Sequence, residues 1–201
     1  HGLRVGYVPD YCADEVADQT AAMALALLRK LPALDASVRR GEWAAVKVCK
    51  PLKPFSETVF GFFGLGQIGR AVLAMGVELT DAADLFARAD IVSLHAPATA
   101  GTTGYVNAAR LATMQRHAVI VNSARGVLID EADLADALTR GVIAGAALDV
   151  FRVEPLPADS PLRAAPNLLL TPHAAWYSEA AIGRLQGLVA DDITRALRGD
   201  G

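Results

Sequence analysis

The stretch Thr58-Val59-Phe60-Gly61-Phe62-Phe63-Gly64-Leu65-Gly66-Gln67-Ile68-Gly69-Arg70 decides how the rest of the chain is read. Residues 58–63 are a short β-rich run, a G-x-G-x-x-G turn follows, and residues 67–75 have helical character. In this strand–turn–helix setting each glycine has its own reason. Gly64 permits the tight turn, Gly66 lets a pyrophosphate approach the backbone, and Gly69 lets helix and strand pack closely. The open N–H groups of the helix start then face the phosphates. Glycines also serve turns that bind nothing, so the motif takes its force from this setting. Gly64, Leu65, Gly66, Gln67, Ile68 and Gly69 are the expected dinucleotide-phosphate loop.

Downstream the pattern alternates. Residues 91–94, 118–121, 144–150 and 168–170 are short apolar runs of strand type, with amphipathic segments such as 107–114 and 131–140 between them. The latter has Asp130 placed as N-cap and Gly141 just past its end. Near-continuous apolar strands alternating with helices imply a parallel sheet covered on both faces, an α/β doubly wound domain of Rossmann type. Its ligand belongs beyond the carboxyl ends of the strands. Upstream, residues 12–31 read as one long helix, with Val16, Met23, Ala24, Leu27, Leu28 and Leu31 at helical spacing and Asp14 and Glu15 in its first turn. Pro32 is expected to end it, and a polar, tryptophan-bearing connection runs from 39 to 53. The chain thus divides into a helix and connection (1–57), a nucleotide-binding domain (58–175) and a C-terminal helix (176–201).

The fingerprint breaks at one point. An acidic residue about 20 positions beyond the glycines should end the second strand and bind the adenosine ribose. Asp81 arrives 12 residues after Gly69 and directly starts the next helical segment, 81–88. A helix over 67–75 rises only about 13 Å, short for a crossover back to a parallel strand. Asp81 is therefore read as a decoy, and a segment carrying the second strand is expected to be absent from this sequence. The alternative is a degenerate site.

The 201 residues are 53% hydrophobic, ample for a sizeable core. No apolar stretch reaches the roughly 18 residues of a membrane span, and the opening His1-Gly2-Leu3-Arg4 has no secretory pattern. A formal charge of −3 with interspersed signs gives no basic footprint for nucleic acid. Cys12 and Cys49 lie far apart without metal spacing, so two reduced thiols in a cytoplasmic protein and no metal site are expected.

Three charged residues fall where this fold puts its active site. Val121-Asn122-Ser123-Ala124-Arg125-Gly126 places an arginine just past one strand. Leu148-Asp149-Val150-Phe151, ending at Glu154-Pro155, places two acids past the next, and Leu170-Thr171-Pro172-His173 a histidine past the last. Alone, each residue is more often a salt-bridge partner, a solvated acid or a turn residue. Together they are complete for reducing a 2-keto acid. Arginine offers a planar, permanent cation for the substrate carboxylate and carbonyl. Histidine titrates in the range useful for delivering a proton to the carbonyl oxygen. Glu154 would orient that imidazole and favour its protonated form. Asp149 would hydrogen-bond the nicotinamide end. His1, His95 and His117 fit less well: one is terminal, one ends a strand on the adenosine side, and one sits in a helix-to-strand turn.

These segments resemble the D-isomer-specific 2-hydroxyacid dehydrogenases, a group including phosphoglycerate dehydrogenase, glyoxylate/hydroxypyruvate reductase and C-terminal-binding protein. The matching stretches are Val8 to Cys12, Phe62 to Arg70, Ser93 to Thr99, Val121 to Asp130, Gly145 to Pro157 and Thr171 to Glu179, in family order. The resemblance implies an NAD-dependent oxidoreductase (NADP not excluded) acting on a small 2-keto or 2-hydroxy acid. Arg125, Glu154 and His173 would be catalytic, with His173 as proton donor. It further implies cofactor contacts at Cys12, at Ala96, Pro97, Thr99 and Thr102 in the 96–102 loop, and at Ser123, Ala124, Asp149 and Ala175. Trp176 would line the substrate pocket, and the chain would form a homodimer through its nucleotide domain. Family members also carry a substrate domain that is expected to lie largely outside these residues. If they were the whole polypeptide, nucleotide binding with little turnover would be expected. A second reading is a dinucleotide-sensing, corepressor-like binding protein, favoured by Ala175-Trp176-Tyr177-Ser178-Glu179 and opposed by the intact trio.

Overall fold

A computed structural model describes residues 8, 11–43, 45–64 and 80–198. Five strands, β1 (Phe60–Phe63), β2 (Ile91–Leu94), β3 (Val119–Asn122), β4 (Gly145–Leu148) and β5 (Leu168–Leu170), form one all-parallel sheet in chain order. The period-two alternation of side chains explains why these runs carry apolar residues at both odd and even positions. Val92, Leu94, Ile120, Ala146 and Leu148 join the larger core on one face, while Ile91, Val119, Val121 and Ala147 join a second core on the other. Both faces are therefore dry, as a parallel sheet requires. Among the described residues β1 pairs only with β2, so the sheet runs outward from β1 in one direction.

Helix α1 (Ala13–Leu28) covers the second face through Met23 and Ala24, with Leu27 and Leu28 behind them. It stops three residues earlier than the spacing predicts. Lys30 turns left-handed at φ 53°, and a separate helix α2 (Leu31–Arg39) follows, with Pro32 in its first turn. Pro32 begins a helix rather than ending one. A proline lacks only an N–H that the first turn leaves unpaired in any case, and its fixed φ already suits a helix. A five-residue helix α3 (Ala45–Cys49) interrupts the connection expected to be irregular.

The first face is covered by α4 (Ala82–Arg88), α5 (Ala108–Leu111) and α6 (Glu131–Thr139), which bury Phe86, Leu111, Leu134 and Leu138. Their starts follow capping chemistry. Asn107 accepts from Arg110 N, and Asp130 from Ala132 N and Asp133 N. Asp81 caps α4 by accepting from Asp84 N, which gives that acid a structural task at a helix start. Gly141, at φ 66°, closes α6. The 107–114 segment is helical only over Ala108–Leu111. Helix α7 (Glu179–Arg198) ends the described chain. No described helix is long and apolar enough to cross a membrane.

The two ends of the sheet differ in chemistry. At the amino ends, buried Asp90 accepts from Lys53 Nζ (2.7 Å) and Val59 N (2.8 Å) and pairs with His117 Nε2. Burial pushes the Asp90 carboxyl up, but Lys53, the Val59 N–H and His117 together hold it below the ordinary range. This cluster ties the 51–59 connection under the sheet and engages His117 there. The carboxyl ends are left for the site.

Candidate active site

Each strand delivers a residue to the carboxyl-end rim. Gly64 follows β1 at φ 103°, and a Cβ there would lie 2.6 Å from Ala96 N and 2.7 Å from the His95 carbonyl carbon. Only glycine lets the turn after β1 pass this close to the loop after β2. Thus the first glycine of the motif has the conformation and the tight approach that a phosphate turn needs. Leu65, Gly66, Gln67, Ile68 and Gly69 lie outside the described residues.

The loop after β2 is organised by its own threonines. Thr102 Oγ1 donates to Pro97 O (2.6 Å) and accepts from Thr99 N (2.9 Å), while Ala96 is buried against Gly64. His95, at the end of β2, stacks on Phe62 and shares a hydrogen bond with Ser93 Oγ (2.8 Å). Burial depresses its pKa to about 4, so it stays neutral at physiological pH.

After β3 a short turn presents Arg125. Asn122 is fully buried and spans this turn, accepting from Ala124 N (3.1 Å) and donating to Arg125 O (2.9 Å). The sequence reading passed over Asn122; its only signal is an amide at the end of a buried strand. Ser123 is buried with its hydroxyl 2.6 Å from Thr20 Oγ1 of α1, which ties the turn to the long helix. Arg125 itself is exposed and donates to Ala124 O (2.6 Å). Cys12 stands at the N-cap of α1.

After β4, Asp149 is fully buried. Its carboxylate accepts from Thr171 Oγ1 (2.5 Å) and from the backbone N–H groups of Ala174 and Ala175 (both 2.9 Å). Its backbone oxygen accepts from His173 N (2.8 Å). One side chain and its carbonyl thus shape the whole 171–175 loop. His173 sits at φ 52°, a left-handed conformation that costs a non-glycine residue roughly 1–2 kcal/mol. The four bonds to Asp149 and its backbone over-determine it, as strain at a functional position requires.

The result is a catalytic-type pair. Glu154 Oε2 accepts from His173 Nδ1 at 2.6 Å, and Glu154 Oε1 accepts from Phe151 N at 2.8 Å. Burial raises the Glu154 carboxyl, but the bonds from His173 and Phe151 outweigh it and hold the group below its ordinary value. Arg125, Glu154 and His173 line one open cavity of about 380 Å³, together with Arg152, which the sequence reading did not single out. The loop that carries Arg125 and the loop that carries Arg152 and Glu154 touch at Gly126, where a Cβ would come within 2.5 Å of Arg152 N and closer still to the Phe151 carbonyl. Trp176 is half-buried beside Tyr177, their rings edge-on at 5.7 Å, and Ala175 is buried. Among the described residues there is no group of acids, histidines and cysteines that could hold a metal ion.

A parallel sheet that puts a glycine turn, an uncharged loop and a histidine–carboxylate pair at one rim defines a dinucleotide-binding oxidoreductase domain. Comparison with known proteins narrows the class. Residues 21–76 and 73–175 match the family described as D-isomer specific 2-hydroxyacid dehydrogenase, NAD binding domain. The chain belongs to this family. It is 38% identical to a D-3-phosphoglycerate dehydrogenase of Methanocaldococcus jannaschii over 223 aligned positions, covering 99% of this chain and 42% of that protein. The chain thus spans less than half the length of that relative. The fold is similar to a D-lactate dehydrogenase with NAD+ from Lactobacillus jensenii (TM-score 0.83, 26% identity, 99% of this chain and 70% of that one). It is equally similar to a probable 2-hydroxyacid dehydrogenase from Rhizobium etli with NADP (TM-score 0.82, 30% identity, 100% and 71%). The family match comes in two pieces that meet at residues 73–76, and the first alignment is longer than the chain. Both agree with an internal segment missing where the second strand was expected.

Proposed function

We propose that the chain is the nucleotide-binding and catalytic core of an NAD(P)-dependent dehydrogenase that interconverts a 2-keto acid and a D-2-hydroxy acid. The observation that carries this reading is the 2.6 Å His173–Glu154 pair sharing a cavity with Arg125. With Nδ1 held by Glu154, Nε2 of His173 is the ring nitrogen left to meet a reacting oxygen. His173 gives its proton to the carbonyl oxygen as that oxygen gains charge, and takes it back in the oxidative direction. Arg125 holds the substrate carboxylate and polarises the carbonyl through its planar fork. Glu154 fixes the ring and offsets the charge of the imidazolium. The nicotinamide cofactor, when bound, supplies or accepts the hydride.

The Gly64 turn and the 96–102 loop would hold the cofactor's phosphates, with Ser123, Ala124 and Ala175 along the same rim. Asp149 has no exposed surface, so we assign it first to shaping the His173 loop, with the nicotinamide contact secondary. Trp176 would wall the substrate side. Full-length protein given NADH and glyoxylate, hydroxypyruvate, 2-oxobutyrate or phosphohydroxypyruvate is expected to oxidise NADH with at least one of them. Tight NADH binding with no turnover of any would replace this reading with the dinucleotide sensor.

We further infer a homodimer. Between residues 31 and 55 an apolar strip stands in solvent: Leu31, Val38, Trp43, Val46, Leu52 and Phe55, with Trp43 93% exposed. Exposed large apolar side chains gathered over one stretch of chain are what a partner surface would cover. Light scattering should give twice the chain mass, and Trp43→Glu should shift it toward the monomer. A wild-type protein that stays monomeric at micromolar concentration would remove this inference.

A further inference from the structure

Two arginines, Arg125 and Arg152, are among the residues that line the cavity beside His173, whereas a simple 2-keto acid carries one carboxylate. Arg125 is sufficient for a single carboxylate, and Glu154 is already committed to His173. Yet Arg152 lines the same cavity. Its position is not incidental to a mobile side-chain stem, because its backbone N lies directly against Gly126, the neighbour of Arg125. Its N–H also donates to Glu131 Oε1 (2.6 Å), so the residue is anchored at its base.

The guanidinium, by contrast, is barely engaged. Its nearest acid is Asp130 Oδ2 at 3.7 Å, beyond hydrogen-bond reach, and Asp130 already caps α6 with its other oxygen. Among the described residues the Arg152 guanidinium makes no hydrogen bond. Arg163, the other arginine near His173, behaves differently: its Nε and Nη2 are spent on the carbonyls of Pro157 and Leu156. That is what a structural arginine looks like in this region. Asp130 and Glu131 are the acids that face Arg152, and neither lines the cavity.

Resting on the hydride-transfer reading above, we propose that Arg152 is a specificity-determining residue that selects 2-keto acids bearing a second anionic group, a carboxylate or a phosphate, distal to the keto acid. Arg125 would take the first carboxylate and Arg152 the second anion. A planar, permanently charged fork with free donors is the side chain suited to either anion.

The test compares matched substrates on full-length protein: 2-oxobutyrate against 2-oxoglutarate, and hydroxypyruvate against phosphohydroxypyruvate. For Arg152→Gln, the ratio of kcat/KM for the dianionic over the monoanionic member is expected to fall at least tenfold, about what one lost charge-assisted hydrogen bond costs. Arg152→Lys should recover part of it, since it keeps the charge without the fork. A fall confined to the carboxylate pair or to the phosphate pair identifies which second anion the site takes. A ratio within twofold of wild type in both pairs overturns the proposal. Calorimetric binding of 2-oxoglutarate and phosphohydroxypyruvate separates the two readings. Binding weakened by Arg152→Gln in a protein without turnover sinks hydride transfer and leaves Arg152 standing; binding unchanged by it sinks Arg152 whatever the turnover.

Discussion

Replacing His173 with alanine is expected to cut 2-keto acid turnover by about 10²–10⁴-fold, the range lost with a general acid, while NADH affinity stays nearly intact. Among the described residues no other histidine can substitute. His95 is neutral, held at a pKa of about 4 by burial, and stacked against Phe62. His117 is bound to Asp90 at the opposite end of the sheet. The pair also sets the acid limb of the pH profile. Burial raises the Glu154 carboxyl, but the His173 and Phe151 hydrogen bonds prevail, and its pKa lies below the ordinary 4.5. A carboxylate lowered in this way is ionised at neutral pH and keeps its hold on the imidazole until the pH falls through that lowered value. Activity lost with acid in this region, and not near neutrality, is the Glu154 contribution. Stopped-flow NADH oxidation beside a fluorescence titration separates the effects. Turnover that survives in His173→Ala while NADH binding collapses would make the histidine a cofactor contact.

The central strands β2, β3 and β4 were legible because they are buried on both faces, which leaves short, mostly apolar runs without helical spacing. The 91–94 and 168–170 runs coincide with β2 and β5. Caps were legible for a similar reason: Asp130 and Gly141 act through neighbours in sequence. Pro32 was misread because a proline suits the first turn of a helix as well as the stop of the one before it. The site was legible as chemistry but not as mechanics. Glu154 and His173 are 19 positions apart, and their residue types suggest a pair that the geometry does form. Nothing local says that Asp149 would spend its carboxylate on two backbone amides 25 and 26 positions away. Nor does an asparagine after three valines and isoleucines announce that it will close the turn carrying Arg125. Arg152 was invisible for the same reason: only the tertiary contact at Gly126 brings it to Arg125.

That contact carries the second large effect. Gly126→Ala is expected to lower turnover about 10²-fold, the scale on which a misplacement of roughly 1 Å acts. Its added Cβ would fall within 2.5 Å of Arg152 N and closer to the carbonyl of Phe151. Carbon needs about 3.5 Å from such atoms. Backbone cannot rotate away as a side-chain tip can, so the loop after β3 and the loop after β4 must part. One carries Arg125; the other carries Glu154, and through it the orientation of His173. Overpacking of this kind also costs about 1–3 kcal/mol of stability, visible as a fall of several degrees in Tm. Gly183→Ala, on α7 and away from the site, is the matched control, because no atom lies within 4 Å of its Cβ position. It should leave turnover near wild type and should not lower Tm, since alanine suits a helix better than glycine. If Gly126→Ala lost stability but kept turnover, the two loops would be adjusting independently, and Arg125 would not depend on the 151–154 backbone for its place. The combination expected is loss of turnover beyond what unfolding explains, measured well below Tm, with NADH still bound. Such a result would locate the coupling between the arginine and the histidine–carboxylate pair in a single missing methyl group.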